Sequence, residues 1–420
     1  MSASLGSVLV VGLARSGEAA ALALARRGAR VVGVDLRETE AAGRLRGAGV
    51  EVVVGARDAA LLDGMTMLVK SPGVPREAPL VAAARDRGLP VWSEVELGSR
   101  LVGNPILGVT GTNGKTTTAE LLGEIFRSAG RDVAVAGNVG RPLTALDGVL
   151  ASEAWVVCEL SSFQLEDIEA FRPRVGVLLN VTPDHLDRHG SFEAYRDAKL
   201  RVFENQTEDD IAIVPRGFGP VPGAARRVEF EAADELPAEP RIRGEHNREN
   251  AAAATAAARA AGVGEAAIAA GLQRFEGVPH RLQLVGEVGG VRFVNDSKAT
   301  NPEAAARALT AYPPGLRVIL GGTFKGVAFE GLAEAMAARR VARAYLIGEA
   351  ADELAEALVA AGVRFTHSGE LPRAVADAFG DAEPGEVVLL SPACASFDQF
   401  ESFEERGTRF RELVEDLRGG

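Results

Sequence analysis

Gly108-Val109-Thr110-Gly111-Thr112-Asn113-Gly114-Lys115-Thr116-Thr117 is the stretch on which the reading of this chain turns. The apolar pair Ile106-Leu107 precedes it, and a helical pattern from Thr118 to Phe126 follows. A glycine-rich turn between strand and helix exposes backbone N–H groups at the positive end of a helix dipole, which makes a pocket for phosphate oxygens. Lys115 is expected to reach the terminal phosphates and the Thr116 hydroxyl to face a magnesium ion. Gly111, Thr112, Asn113, Gly114 and Thr117 complete the cradle. Five residues, rather than the usual four, separate Gly108 from Gly114, so this is a variant of the nucleotide loop. A nucleoside triphosphate is the expected ligand.

Composition narrows the class. A chain of 420 residues has room for two or three domains, and its apolar and charged fractions are those of a globular protein. A net charge of -12 argues against nucleic acid as partner, because phosphate backbones require clustered Lys and Arg. No apolar run approaches the length of a membrane span. Val8–Val11, with no basic stretch before it, reads as a first strand and not as a signal peptide. Cys158 and Cys394 both lie in apolar runs and are expected to be reduced core residues of a cytoplasmic protein. Lysine is scarce: 5 against 41 arginines. Arginine cannot replace lysine where a compact charge or a neutral amine is needed, so Lys70, Lys115, Lys199, Lys298 and Lys325 are candidates for chemistry.

The patterning divides the chain into three tandem α/β domains. Residues 1–93 alternate strands (Val8–Gly12, Arg30–Asp35, Val50–Val54, Met67–Lys70) with alanine-rich helices, which predicts a parallel, Rossmann-like sheet. Residues 94–277 hold the phosphate loop, strands at Val133–Ala136, Trp155–Glu159, Val175–Asn180 and Ile211–Val214, and a long alanine helix from Asn250 to Ala261. The Pro- and charge-rich segment Pro220–Pro240 reads as a surface excursion. Residues 278–420 carry a third alternating pattern with strands at Val291–Asn295, Val318–Leu320, Ala344–Ile347 and Val387–Leu390. Gly12-Leu13-Ala14-Arg15-Ser16-Gly17 followed by Asp35 imitates a dinucleotide fingerprint, with Ala14 where close approach of a pyrophosphate asks for glycine.

The variant loop Thr110-Gly-Thr-Asn-Gly-Lys-Thr116 resembles that of the Mur ligases, the ATP-dependent amide-forming enzymes of peptidoglycan precursor synthesis. The resemblance runs along essentially the whole chain. Asp296-Ser-Lys-Ala-Thr-Asn301 and Ser391-Pro-Ala-Cys-Ala-Ser396-Phe-Asp-Gln-Phe400 point to the glutamate-adding branch. The resemblance implies a UDP-substrate domain, a central P-loop ATPase domain and a Rossmann-like amino-acid-binding domain. It implies UDP-sugar contacts at Arg15, Ser16, Gly17, Asp35, Arg37, Ser71, Gly73 and Asn138. ATP is expected to meet Asn250 at its adenine, Arg281 and Lys298 at its phosphates, and Asp296 at its ribose. Two magnesium ions are implied, held among Thr116, Glu159, His185 and Lys199, the last as a carbamate formed with carbon dioxide. D-glutamate is expected at Thr300, Lys325, Ser396 and Phe403.

The implied reaction joins D-glutamate to UDP-N-acetylmuramoyl-L-alanine through an acyl phosphate, with Lys115, Lys199 and His185 at the catalytic centre. A cytoplasmic monomer with small-molecule partners, neither membrane-bound nor bound to nucleic acid, is expected, with the third domain closing over the second when nucleotide binds. Three other readings stay open on residues alone: a sibling ligase adding a different amino acid, a nicotinamide oxidoreductase built on the first domain, and a nonenzymatic ATP-switched module.

Overall fold

The computed structural model of the chain describes residues 6–242, 244–324 and 326–419. Three separate sheets form, each with helices between its strands. The first unites β1 (Ser7–Val11), β2 (Arg30–Asp35), β3 (Glu51–Val54), β4 (Met67–Lys70) and β5 (Val91–Ser93) in the order β3-β2-β1-β4-β5. Every pairing is parallel. The strand order reverses between β1 and β4, which opens a crevice at their carboxyl ends, where ligands bind in such sheets.

The second sheet has β6 (Ile106–Thr110), β7 (Val133–Gly137), β8 (Trp155–Glu159), β9 (Val175–Leu178), β10 (Ile211–Pro215) and β11 (Arg226–Phe230) in the order β11-β10-β9-β6-β8-β7. β6 is buried along its whole length, as a central parallel strand covered on both faces must be. The segment read as a surface excursion, 220–240, instead contributes β11, which pairs in parallel with β10 at the sheet edge. Its charged residues Arg226, Arg227 and Glu229 are tolerated because an edge strand keeps contact with water.

The third sheet joins β12 (Gln283–Val288), β13 (Val291–Asn295), β14 (Arg317–Gly321), β15 (Arg343–Ile347), β16 (Phe365–Gly369) and β17 (Val387–Leu390) in the order β12-β13-β17-β14-β15-β16. Only β12 runs antiparallel, hairpinned onto β13 through Gly289-Gly290.

The chain separates into two compact units. One comprises Met1–Arg241 and Glu245–Phe275 and contains the first two sheets; the other comprises Ile242–Gly244 and Glu276–Gly420 and contains the third. Within the first unit, polar pairs join the two sheets. Lys70 at the end of β4 is fully buried and lies 2.8 Å from Asp167, which also pairs with Arg85. Glu96 accepts hydrogen bonds from the backbone N–H groups of Glu169, Ala170 and Phe171. Glu94 accepts from Thr144 N at 2.6 Å and Thr144 Oγ1 at 2.7 Å. Lys70, a candidate for chemistry on grounds of scarcity, is thus a buried structural cation. Cys158 and Cys394 are both buried, as expected.

Candidate active site

The phosphate loop leaves β6 at the centre of the second sheet and enters the helix Lys115–Ser128. Gly114 caps that helix at φ +83°, a backbone region that disfavours side chains. A Cβ there would also overlap Asn250 Oδ1, so glycine is required twice over. Asn250 is buried against the loop and donates to Asn247 Oδ1 at 3.3 Å. Lys115 Nζ curls back to donate to the carbonyls of Gly111 and Thr112, both at 2.9 Å. Asn180, just past β9, braces the loop by accepting from Asn113 N at 2.9 Å and donating to Asn113 O at 3.2 Å. Thr116 and Thr117 are buried in the first helical turn.

Lys199 arrives from the helix Phe192–Leu200 and donates to the carbonyl of Gly111 at 2.8 Å, so two lysines converge on one loop carbonyl. Its side chain is buried at 2% exposure, with the ammonium 4.5 Å from the centre of the Tyr195 ring. Burial, first, and the neighbouring Lys115 charge, second, push the Lys199 pKa down to about 6, against the weaker pull of Asp184 and Glu159. Burial thus favours the unprotonated amine more than an exposed lysine would allow.

Glu159 ends β8 opposite Val109 of β6, the strand that leads into the loop. It is 3% exposed and accepts from Asn138 Nδ2 at 3.1 Å. His185 precedes the short helix Leu186–His189 in a left-handed conformation, φ +53°, with its side chain half exposed. Its ring meets Phe163 edge-on at 5.1 Å, and Asp184 lies 3.5 Å from Nε2. Lys115, Glu159, His185 and Lys199, from four separate segments, thus share one neighbourhood.

A cavity of about 650 Å³ opens at the strand reversal of the first sheet. Arg15, Ser16, Asp35, Ser71, Gly73 and, from the second sheet, Asn138 line it. Gly17 does not line the cavity but lets the helix Arg15–Arg26 lie against the Gly12 carbonyl, which a Cβ would overlap. Asp35 accepts from Leu13 N at 2.7 Å and from Arg37 N at 3.2 Å, so its carboxylate also stiffens the turn. Arg37 is exposed at the end of β2.

In the second unit, the candidates follow the carboxyl ends of the adjacent strands β13, β17 and β14. Asp296 is nearly buried, accepting from Ser391 Oγ at 2.8 Å and Leu282 N at 3.2 Å. Burial raises its pKa to about 7, against those two bonds and the Arg281 charge. Lys298 lies 6.0 Å from the Phe403 ring, and Ser396 is buried in the turn after β17. Thr300 is partly exposed in the loop after β13. Lys325 lies outside the described residues. Arg406, which the sequence reading missed, is buried at the junction of these loops. It donates to Ser297 Oγ at 2.9 Å and to the carbonyls of Ser297 and Cys394 at 2.9 and 3.1 Å. Its guanidinium, with no carboxylate bonded to it among these contacts, ties the β13 and β17 loops together.

Three family descriptions match consecutive parts of the chain: the Mur ligase MurD-like N-terminal domain over residues 6–93, the Mur ligase middle domain over 109–217, and the Mur ligase glutamate ligase domain over 280–394. The UDP-N-acetylmuramoylalanine–D-glutamate ligase of Acidobacterium capsulatum is 44% identical over 98% of this chain and 96% of its own. That of Anaeromyxobacter dehalogenans is 45% identical over 97% of each. The chain belongs to the Mur ligase family. Among solved structures, the UDP-N-acetylmuramate–alanine ligase of Thermotoga maritima has a TM-score of 0.60 at 19% identity, covering 98% of this chain and 99% of that one. MurF of Thermotoga maritima, solved with ADP, has a TM-score of 0.58 at 19% identity, covering 93% and 95%. Both likenesses concern the fold.

Mur ligases as a family use ATP with magnesium, and the donor set here suits that ion. Among the described residues, no cluster of three or more His, Cys, Asp or Glu that could hold a metal ion is assembled. A buried carboxylate, Glu159, and a threonine hydroxyl, Thr116, offer isolated oxygen ligands. Such a site fits an ion that retains waters and shares phosphate oxygens.

Several residues that shape this Mur ligase site escaped the sequence reading. Tyr195 is 1% exposed and donates to Thr112 Oγ1 at 3.1 Å. Phe163 and His189 stack at 5.1 Å beside it. Nothing local marks Phe163 or Tyr195, because these contacts span 26 positions to His189 and 83 to Thr112.

Proposed function

We propose that this Mur-family ligase joins D-glutamate to the L-alanyl carboxylate of UDP-N-acetylmuramoyl-L-alanine in the cytoplasm, as a monomer, forming ADP and phosphate. The observation that carries the reading is the convergence of a phosphate-loop lysine and a second, buried lysine on the Gly111 carbonyl. The near-full-length identity to D-glutamate ligases directs that chemistry to this substrate pair.

Under this reading, the loop amides and Lys115 hold the triphosphate and offset charge that spreads over the transferring γ-phosphoryl group. The L-alanyl carboxylate oxygen attacks phosphorus and ADP departs, leaving an acyl phosphate. The D-glutamate amine then attacks the carbonyl carbon, loses a proton and expels inorganic phosphate. Asn138 and the cavity of the first sheet orient the UDP-sugar. Thr116, Glu159, His185 and a Lys199 carbamate would hold the two magnesium ions, which supply positive charge to the phosphate oxygens when bound. Carbamate formation needs an unprotonated amine: Nζ bonds to the carbon of CO₂ and one proton is released. A depressed Lys199 pKa favours that form. The product keeps one N–H, able to preserve the bond to Gly111 O.

ATP is expected to meet Asn250, Arg281, Asp296 and Lys298, and D-glutamate Thr300, Lys325, Ser396 and Phe403; their sequence motifs support this part of the reading. The domain limits 1–93, 94–277 and 278–420 belong to the same proposal. Phosphate release with ATP, UDP-N-acetylmuramoyl-L-alanine and a panel of amino acids tests it. Release should require D-glutamate; preference for L-alanine, L-lysine or diaminopimelate would assign a sibling activity instead.

A further inference from the structure

Behind the phosphate loop, three side chains form a row. Ser162 Oγ lies 3.0 Å from His189 Nε2, and His189 Nδ1 lies 3.1 Å from Glu166 Oε1. One tautomer satisfies both contacts: Nδ1–H donates to the carboxylate and Nε2 accepts the serine hydroxyl. A serine, histidine and carboxylate in line is the arrangement of an activated nucleophile. Ser162, however, is 2% exposed, and it is not among the residues lining the cavity of about 520 Å³ that His189 and Glu166 border. A nucleophile no substrate can reach has no hydrolytic use, so the row calls for another role.

The His189 ring supplies one. It stacks on Phe163 with centroids 5.1 Å apart and planes 7° from parallel. It also meets Tyr195 edge-on at 5.2 Å. These two rings face the candidate metal and carbamate residues: Phe163 meets His185 at 5.1 Å, and Tyr195 carries the Lys199 ammonium 4.5 Å from its centre. Tyr195 Oη further donates to Thr112 Oγ1 in the phosphate loop. His189 is therefore held at both nitrogens and touches both rings on which His185 and Lys199 rest. Ser162 lies in, and Glu166 just after, the short helix that follows β8 at Glu159, so the row also links that segment to the short helix Leu186–His189, which precedes the helix carrying Lys199.

We propose that His189 is a positioning residue of this ligase: fixed between Ser162 and Glu166, it sets the Phe163 and Tyr195 rings and through them the placement of His185 and Lys199. The proposal rests on the reading of His185 and Lys199 given above.

The test compares wild type, His189→Ala, His189→Phe and Lys199→Ala of the full chain by steady-state kinetics. It adds ¹³C NMR of the metal-free proteins equilibrated with ¹³C-bicarbonate, which reads a lysine carbamate directly. His189→Ala should lower kcat by about tenfold or more, with the KM for ATP within about twofold, since displaced reacting groups cost rate more than binding. Its carbamate signal should weaken. His189→Phe, which keeps both ring contacts but neither hydrogen bond, should fall between it and wild type. Wild-type kcat and carbamate signal in His189→Ala, or a loss confined to KM, would overturn the proposal.

If His189→Ala does not fold by circular dichroism, Ser162→Ala and Glu166→Gln decide it, each expected to lower kcat and carbamate signal in the same direction; unchanged values in both overturn it. If Lys199→Ala turns over at the wild-type rate, the assignment of Lys199 fails separately. The magnesium concentration for half-maximal rate, expected to rise several-fold in His189→Ala through His185, then decides the role of His189, and an unchanged value overturns it.

Discussion

Lysine 199 shows how an ordinary side chain acquires chemistry from its surroundings. On an exposed helix face its amine stays protonated and inert at neutral pH; here burial and Lys115 depress its pKa to about 6. We predict that Lys199→Ala lowers turnover by roughly 100-fold or more, in line with removal of one preorganised charge-stabilising group. Formate or acetate should restore part of the rate by occupying the place of the missing carbamate, and full activity without rescue would refute the role. At this scale the sequence was half legible. Lys115 announces itself through its loop. Lys199 stands out only through the scarcity of lysine and through resemblance, and scarcity also flagged Lys70, which is an internal strut with its ammonium 2.8 Å from Asp167. His189, Tyr195 and Arg406 could not be read, because their partners are assembled by the fold.

The phosphate loop works as an element because strand, turn and helix impose incompatible backbone demands that glycine reconciles. Gly114→Ala would strain a φ of +83° and push against Asn250. The strain costs on the order of 1–3 kcal/mol, a small share of a large domain's stability. We therefore predict a protein that still melts cooperatively, within a few degrees of wild type, but binds ATP at least about tenfold more weakly by isothermal calorimetry. Unaltered ATP affinity would contradict the assigned loop geometry. Element existence was readable wherever strands are buried on both faces, as in Trp155–Glu159 and Val387–Leu390. It failed at polar sheet edges: β11 carries Arg226 and Glu229, and β16 reads Phe-Thr-His-Ser-Gly, because an edge strand is stabilised by backbone pairing with little demand for apolar side chains, whereas the apolar edge strands β3 and β7 were readable.

Across the whole molecule, the first two sheets are joined by buried charge. Asp167 is 5% exposed and answers both Lys70 and Arg85. Asp167→Ala should destabilise the first unit by about 3–5 kcal/mol, because it strands a buried ammonium; chemical denaturation checks this, and a change under about 1 kcal/mol would show that Lys70 finds other partners.

Glu94, at the same seam, gives a pH signature. Complete burial raises its pKa from 4.5 to about 7 despite the bonds from Thr144. A carboxyl whose pKa is raised by folding binds its proton more tightly in the native state. Its effect on stability is therefore neutral below about pH 4.5, grows unfavourable as pH rises through that window, and levels off above about 7. Glu94→Gln keeps an acceptor for Thr144 and removes the titration. Its stability relative to wild type should rise between pH 4.5 and 7 by up to about 3 kcal/mol. A difference independent of pH would show that the carboxyl ionises normally. The tandem arrangement of three α/β layers was legible from alternation alone; the grouping of two sheets into one unit was not, since it depends on pairs such as Lys70–Asp167 that lie 97 positions apart.

Transfer of oxygen during turnover tests the central claim most directly. UDP-N-acetylmuramoyl-L-alanine labelled with ¹⁸O in its alanyl carboxylate, incubated with the protein, ATP, magnesium and D-glutamate, should yield inorganic phosphate carrying one ¹⁸O per amide formed. Phosphate free of label, or labelled phosphate released equally well when D-glutamate is replaced by another amino acid, would contradict it.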